Sequence, residues 1–201
     1  MTIPDLASSG NRLRGNRSAL LVIGLTVMIG LSGCSSPQVR YHTLMPLSSP
    51  ASGRDNVPIA VTDVTVPPQV NRRELVVRQN ASHLIVLESD WWGAFLADEI
   101  QSVLDTYLVQ SEPGPDTIRA AVAITRFDSV PGEYALIEAR VQLTRHDGER
   151  LHHITCRVWA RQAAAFNLDA LVRAHQQNLI TLAQAMRTAA DGSSSGDWKC
   201  P

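Results

Sequence analysis

The sequence predicts an α/β domain, a layered sandwich in which two amphipathic helices pack against a mixed, largely antiparallel sheet. Two observations carry this prediction. Several short stretches contain β-branched or alternating apolar residues, which is the pattern of strands with one covered face. Two longer stretches place apolar residues at helical spacing, so that each has a single stripe to bury against another layer.

The first half of the domain is predicted to supply four short strands. Pro46 and the pair Pro67-Pro68 end two of them, because proline cannot donate a ladder hydrogen bond. Gln79-Asn80-Ala81-Ser82 has the composition of a hairpin turn and joins the other two. The four strands are Arg40–Leu44, Pro58–Val66, Glu74–Arg78 and His83–Leu87.

A first helix is predicted after the capping pair Ser89-Asp90, because the apolar period changes there from two residues to 3.6. It must end before Pro113, which cannot continue a helix. The stripe predicted to be buried consists of Trp92, Phe95, Leu96, Ile100, Val103, Leu104, Tyr107 and Leu108.

The second half is predicted to form an antiparallel meander of three strands, Thr117–Ser129, Tyr134–Arg145 and Arg150–Gln162. Pro131-Gly132 and His146-Asp147-Gly148 supply the turns between them. Asn167 then caps a second amphipathic helix that runs to about Ala190. The Gly/Ser-rich tail that follows is expected to be flexible, with Trp198 and Cys200 docking back on the domain.

The N-terminal region predicts a lipoprotein signal peptide. Arg12, Arg14 and Arg17 precede the apolar run Ala19–Leu31, which is shorter than the roughly 18–20 residues of a membrane span. Leu31-Ser32-Gly33-Cys34 resembles a lipobox, with cleavage between Gly33 and Cys34 and acylation of Cys34 by a diacylglycerol and an N-acyl chain. The alternative is an ordinary signal peptide with a chance cysteine. The predicted organisation is a signal peptide (1–33), an acylated tether (34–39), one α/β domain (40–190) and a tail (191–201).

The net charge bears on which partners the protein can bind, and the residue after Cys34 bears on the membrane to which it is sorted. Without residues 1–33 the chain loses three of its 18 basic and one of its 19 acidic residues, which leaves a formal charge of −3. Nucleic acid is therefore not an expected partner, because phosphate binding needs a dense basic patch. Ser35, rather than Asp, follows Cys34, which by resemblance to the lipoprotein sorting rule indicates the periplasmic face of the outer membrane.

Two further cysteines, Cys156 and Cys200, are left for pairing. Disulfides form and persist in the periplasm, and free thiols are uncommon in exported proteins, so a Cys156–Cys200 disulfide is favoured. The alternative is a buried reduced thiol at Cys156 and an unpaired Cys200 in the tail.

Several local strings, in this order, resemble the PqiC/YmbA-like family of ABC-type transport auxiliary lipoproteins. Besides the lipobox they are Tyr41-His42-Thr43-Leu44, Val64-Thr65-Val66-Pro67, Asn71-Arg72, Glu74–Arg78 and the Trp-led segment Asp90–Leu96. His42 stands where the family usually has a second tyrosine. The resemblance implies a sandwich similar to the N-terminal domain of TolB.

The resemblance also implies a non-enzymatic accessory of an MCE/ABC-type intermembrane lipid transport system, supporting envelope integrity, without a cofactor. Its partners would be an MCE-domain protein and the ABC permease and ATPase, and a homo-oligomer is left open. The alternative function is a lipoprotein that binds a lipid or small molecule in a pocket of its own.

The sequence gives little indication of a catalytic or metal-binding site. No G-x-S-x-G string stands between a predicted strand and a predicted helix, where a nucleophile elbow would lie. His152 and His153 alternate along a predicted strand, so they cannot chelate one metal ion. Trp92 is expected in the core, whereas Trp91 and Tyr41 are the candidate partner-binding residues, because aromatic side chains dominate many interfaces.

Overall fold

The computed structural model describes residues 38–47, 58–108, 114, 117–148, 150–192 and 199–200. It confirms the α/β class, but the strands of this part of the chain form two sheets rather than one. The strands are β1 (Arg40–His42), β2 (Ile59–Thr65), β3 (Glu74–Arg78), β4 (Leu84–Trp92), β5 (Ile118–Val130), β6 (Tyr134–Asp147) and β7 (Arg150–Ala163). The helices are α1 (Leu96–Leu108) and α2 (Leu168–Asp191).

The large sheet has the strand order β2-β5-β6-β7. Strands β5, β6 and β7 form the predicted antiparallel meander, and β2 pairs with β5 in parallel, which makes the sheet mixed. Gly132 turns the chain between β5 and β6 at a φ of 79°, a conformation that glycine adopts without steric cost. The Pro131-Gly132 turn signal is therefore confirmed.

The small sheet has the order β1-β4-β3. Strands β3 and β4 form the predicted hairpin, and β1 lies on the other side of β4, parallel to it. Because parallel neighbours need a long connection, β1 and β4 come from distant parts of the chain. The sequence pattern within either strand therefore could not predict that β1 pairs with β4.

The first helix begins later than the sequence predicts. Ser89 and Asp90 do not cap it, because both belong to β4, which continues to Trp92 where β1 pairs with it. The helix begins at Leu96 instead. Trp92 is nevertheless in the core as expected, at 3% exposure, whereas Phe95 is half-exposed and does not lie on the buried stripe.

The second helix begins as predicted. The Asn167 side chain accepts a hydrogen bond of 2.8 Å from the backbone N–H of Ala170, which satisfies one of the free amides at the helix start. Both helices bury one stripe of side chains, with α2 against β6 and β7 and α1 against β2 and α2. Together with the inward-facing residues of the large sheet, these stripes form the main core. Its largest fully buried members include Ile100, Leu104, Ile118, Leu143, Leu179 and Met186.

Candidate functional site

The two predicted partner-binding residues, Tyr41 and Trp91, lie side by side at the edge of the small sheet. They are register partners in the parallel pair of β1 and β4, and their rings meet edge to face with centroids 6.3 Å apart. Tyr41 is 64% exposed and Trp91 is partly exposed. We call this pair the aromatic edge. The Trp91 indole N–H donates to the backbone carbonyl of Glu88 at 2.9 Å, which fixes the ring.

The opposite face of β1 is held to β4 by a buried carboxylate. Arg40 donates two hydrogen bonds to Asp90, of 2.9 and 2.8 Å, and His42 Nε2 donates a third of 2.9 Å. Burial alone would raise the pKa of Asp90, but the hydrogen bonds from Arg40 and His42 outweigh it and lower that pKa below its ordinary value. The carboxylate therefore stays ionised and fixes both partners.

The chain just after β1 is tied to both helices. The backbone N–H of Leu44 and the hydroxyl of Thr43 donate to Glu99 Oε2 of α1, at 2.9 and 3.0 Å. The Gln176 side chain of α2 donates to the carbonyls of Thr43 and Met45, at 3.2 and 3.3 Å. A strand of three residues is thus held by contacts well beyond its own ladder.

Gly93 leaves room for the Glu99 carboxylate in this arrangement. A Cβ atom at Gly93 would lie 2.8 Å from Glu99 Oε1, which is closer than real contacts allow. Because Glu99 also accepts from Leu44, any side chain at Gly93 would push against the group that holds the end of β1.

Two of the three cysteines, Cys156 and Cys200, are among the described residues. Cys156 and Cys200 are joined by a disulfide, with Cα atoms 5.3 Å apart, so the C-terminal segment is attached to β7. Cys156 is buried in the sheet. Gly33 and Cys34, the predicted cleavage and acylation positions, lie outside the described residues, as does Trp198.

Sequence reasoning missed a buried serine–histidine pair. Ser129 Oγ lies 2.8 Å from His175 Nε2, and the imidazole stacks on Phe127 with centroids 3.9 Å apart. Burial lowers the pKa of His175 to about 3. His175 Nδ1 has no hydrogen-bond partner, so no acid orients the ring, and both residues are too buried to meet a substrate. The pair lacks what a nucleophile and base require.

Metal-ligating residues do not cluster in the part of the chain that the structure describes. His152 and His153 both lie exposed on β7, as expected for surface histidines. The missed group with a clear structural role is Arg40–His42–Asp90. Its sequence signal was the spacing of Arg40 and His42, which places both side chains on one face of a strand.

Comparison with known proteins identifies the family of this chain. The family model described as the ABC-type transport auxiliary lipoprotein component matches residues 42–187, which is more than half of the chain. The chain belongs to this family. The resemblance to PqiC/YmbA-like proteins noted from the residues is thereby confirmed, and the matched region contains Trp91, all of α1 and the part of α2 up to Arg187.

Two solved structures are similar to this fold. One is of an uncharacterized protein, with a TM-score of 0.58 at 17% identity, covering 75% of this chain and 97% of that one. The other is protein XCC0632 from Xanthomonas campestris, of the DUF330 family, with a TM-score of 0.58 at 13% identity, covering 81% of this chain and 100% of that one. At such identities they support the fold alone. Among curated proteins, none matches the chain in sequence.

Membership of the family makes the protein an auxiliary component of ABC-type transport and a member of a lipoprotein family. Neither helix among the described residues is both long and apolar enough to cross a bilayer.

Proposed function

We propose that this protein is a non-enzymatic accessory lipoprotein of an MCE/ABC-type intermembrane lipid transport system. In this proposal Cys34 carries the acyl anchor, the domain lies at the periplasmic face of the outer membrane, and it holds the transport assembly there to support envelope integrity. The family match over residues 42–187 is the observation that carries the proposal, since it makes the chain a transport auxiliary lipoprotein.

The length of chain between the anchor and the domain supports a positional role. Five residues separate Cys34 from Arg40, the first residue of β1, and the chain between the two spans at most about 20 Å when fully extended. The small sheet would therefore stay close to the membrane. A tether this short raises the local concentration of the domain and lowers the intrinsic affinity that a partner needs.

The aromatic edge supports a partner surface within that reach. Tyr41 is mostly exposed, yet the backbone beneath it is fixed by the Asp90 carboxylate and by Glu99. A rigid exposed aromatic pair loses little conformational entropy on binding, and aromatic residues are enriched at interface hot spots. We assign the MCE-domain protein to this surface, with the ABC permease and ATPase completing the system.

The buried polar groups support a role without catalysis. Ser129 and His175 form the one serine–histidine hydrogen bond among the described residues, and it lies inside the domain. Three surface depressions among the described residues have volumes of about 170, 350 and 500 Å³, and this pair lines none of the three.

The anchor and its location can be tested separately. Cys34→Ala removes the acylated residue, and we expect it to release the protein from the membrane fraction and to abolish its support of envelope integrity. Ser35→Asp should leave acylation intact but retain the lipoprotein in the inner membrane, with the same loss of function, whereas Ser35→Thr serves as the matched control and should behave as wild type.

Full function of a soluble Cys34→Ala protein would contradict the anchoring role, and full function of Ser35→Asp at the inner membrane would contradict the outer-membrane position. Stoichiometric lipid extracted from a purified protein that captures no MCE-domain partner would favour a lipid carrier instead.

A further inference from the structure

One face of the large sheet carries exposed side chains from adjacent strands, while its other face forms the core. On β6 and β7 these exposed residues are Arg140, Gln142, Thr155, Arg157 and Trp159. Trp159 is 61% exposed, although tryptophan has more apolar surface to bury than any other side chain. This middle part of the large sheet includes neither the residues of the aromatic edge nor the proposed anchor.

Arg140 and Arg157 are direct cross-strand partners on this face. Like charges directly opposite each other destabilise a sheet, and within the described residues no carboxylate pairs with either guanidinium. The repulsion is removed when an anion lies between the two groups. Two guanidinium groups placed in this way are therefore suited to bind an anion.

A depression of about 350 Å³ lies beside the two arginines. The Trp159 ring is its apolar wall, because the side chains of Ala139 and Val158 point to the core face, and its size is that of a small-molecule site. Glu138 also lines it, but this carboxylate is 3.4 Å from Arg126 Nη1 and so is already partly neutralised. The depression thus combines two unpaired cations with an apolar wall.

We propose that Arg140 and Arg157 bind the phosphate of a phosphate ester whose apolar part lies against the Trp159 ring. A guanidinium matches phosphate oxygens with two parallel hydrogen bonds, and a phosphate monoester carries nearly the two negative charges that balance two arginines. This inference goes beyond the proposed function, because it depends on neither the anchor nor the transport partner.

Calorimetric titration of the full-length protein, in a phosphate-free buffer with one nonionic detergent, tests the site. The ligands are inorganic phosphate, glycerol 3-phosphate and the short-chain lipid dihexanoyl phosphatidic acid. We expect saturable binding that is tightest for the lipid ester. Arg140→Gln and Arg157→Gln should each weaken it about tenfold or more, because each removes charge-assisted hydrogen bonds. Trp159→Ala should weaken only the binding of the lipid ester.

Arg119→Gln is the matched control, since Arg119 is an exposed arginine on β5 of the same sheet. It lines neither this depression nor a second one of about 170 Å³ that also borders Arg140. Both glutamine variants should fold, and removal of the repulsion should leave their unfolding midpoints unchanged or raised. Absence of saturable binding would overturn the proposal, as would an equal loss in Arg119→Gln. Equal affinity for inorganic phosphate and the lipid ester would assign the site to free phosphate and refute the role of Trp159.

Discussion

His175 lies fully inside the domain, where it stacks on Phe127 and contacts the Ser129 hydroxyl. Because burial lowers its pKa from 6.5 to about 3, the folded protein keeps the imidazole neutral while the unfolded chain binds a proton below pH 6.5. Stability is therefore unaffected by this group above pH 7. It falls as the pH drops from 6.5 towards 3, since the unfolded state binds more protons.

We expect the free energy of unfolding of the wild type to fall by about 2 kcal/mol from this group alone between pH 7 and pH 5. His175→Gln should lack that part of the decrease, because glutamine does not titrate. Urea unfolding at the two pH values measures it. His152→Gln is the control, since His152 is exposed. The same pH dependence in His175→Gln and wild type would show that the buried imidazole is protonated in the folded state.

At the scale of elements, the Asp90 carboxylate holds one face of β1 to β4. Asp90→Asn keeps the shape of the side chain but removes the charge that accepts from Arg40 and His42. We expect a modest loss of stability, about 1 to 2 kcal/mol, because Arg40 is largely exposed and is solvated by water when released. The larger effect is local, and it should appear as faster amide hydrogen exchange in β1.

Asp98→Asn is a suitable control for that variant, because Asp98 is an exposed acid in the first turn of α1. Unchanged exchange in β1 of Asp90→Asn would show that the ladder to β4 and the contacts to Glu99 are sufficient to hold the strand.

The aromatic edge gives a second prediction at this scale. Tyr41→Ala and Trp91→Ala should each weaken capture of the MCE-domain partner by tenfold or more, about the size of a hot-spot loss, while the fold is kept. Phe166→Ala is the control, since Phe166 is 83% exposed and lies just before α2. Equal capture by all three variants would exclude the aromatic edge as the partner surface.

Elements whose signals are local could be predicted from the sequence. The Pro131-Gly132 turn and the Asn167 cap each adjoin the element that they define, and both were predicted correctly. Ser89-Asp90 also has the local chemistry of a cap, but Arg40, which lies 50 residues away, binds Asp90 and draws it into β4. Because Arg40 is so distant in sequence, the residues around Ser89 give no indication that Asp90 will bind it.

The candidate site shows the same limit. Tyr41 and Trp91 could be chosen singly because each is an aromatic residue in a predicted element, but their contact depends on a parallel pairing between separate regions. Ser129 and His175 are 46 residues apart, and no motif links them. The split into two sheets was missed for this reason too, since β2 pairs with β5 and not with its neighbours in the chain.

For the whole molecule, the Cys156–Cys200 disulfide closes a loop that contains all of α2. On the chain-entropy model a loop of this length contributes up to about 4 kcal/mol by restricting the unfolded chain. Cys200→Ser should lower the free energy of unfolding by no more than that, and urea unfolding with and without reductant measures it. Cys200 is the residue to replace, because it is exposed and Cys156 is packed in the core.

Reductant should bring the wild type to the stability of Cys200→Ser and leave the variant unchanged. Alkylation of two thiols in the unreduced wild type would contradict the disulfide, and equal unfolding midpoints would show that it contributes nothing to stability.

The attachment of Cys200 to β7 also determines what a protease can release. A chain cut between Asp191 and Lys199 stays in one piece until it is reduced, because the last residues remain covalently bound to the sheet. An epitope fused after Pro201 would then report an intact molecule on a non-reducing gel even when the backbone has been nicked.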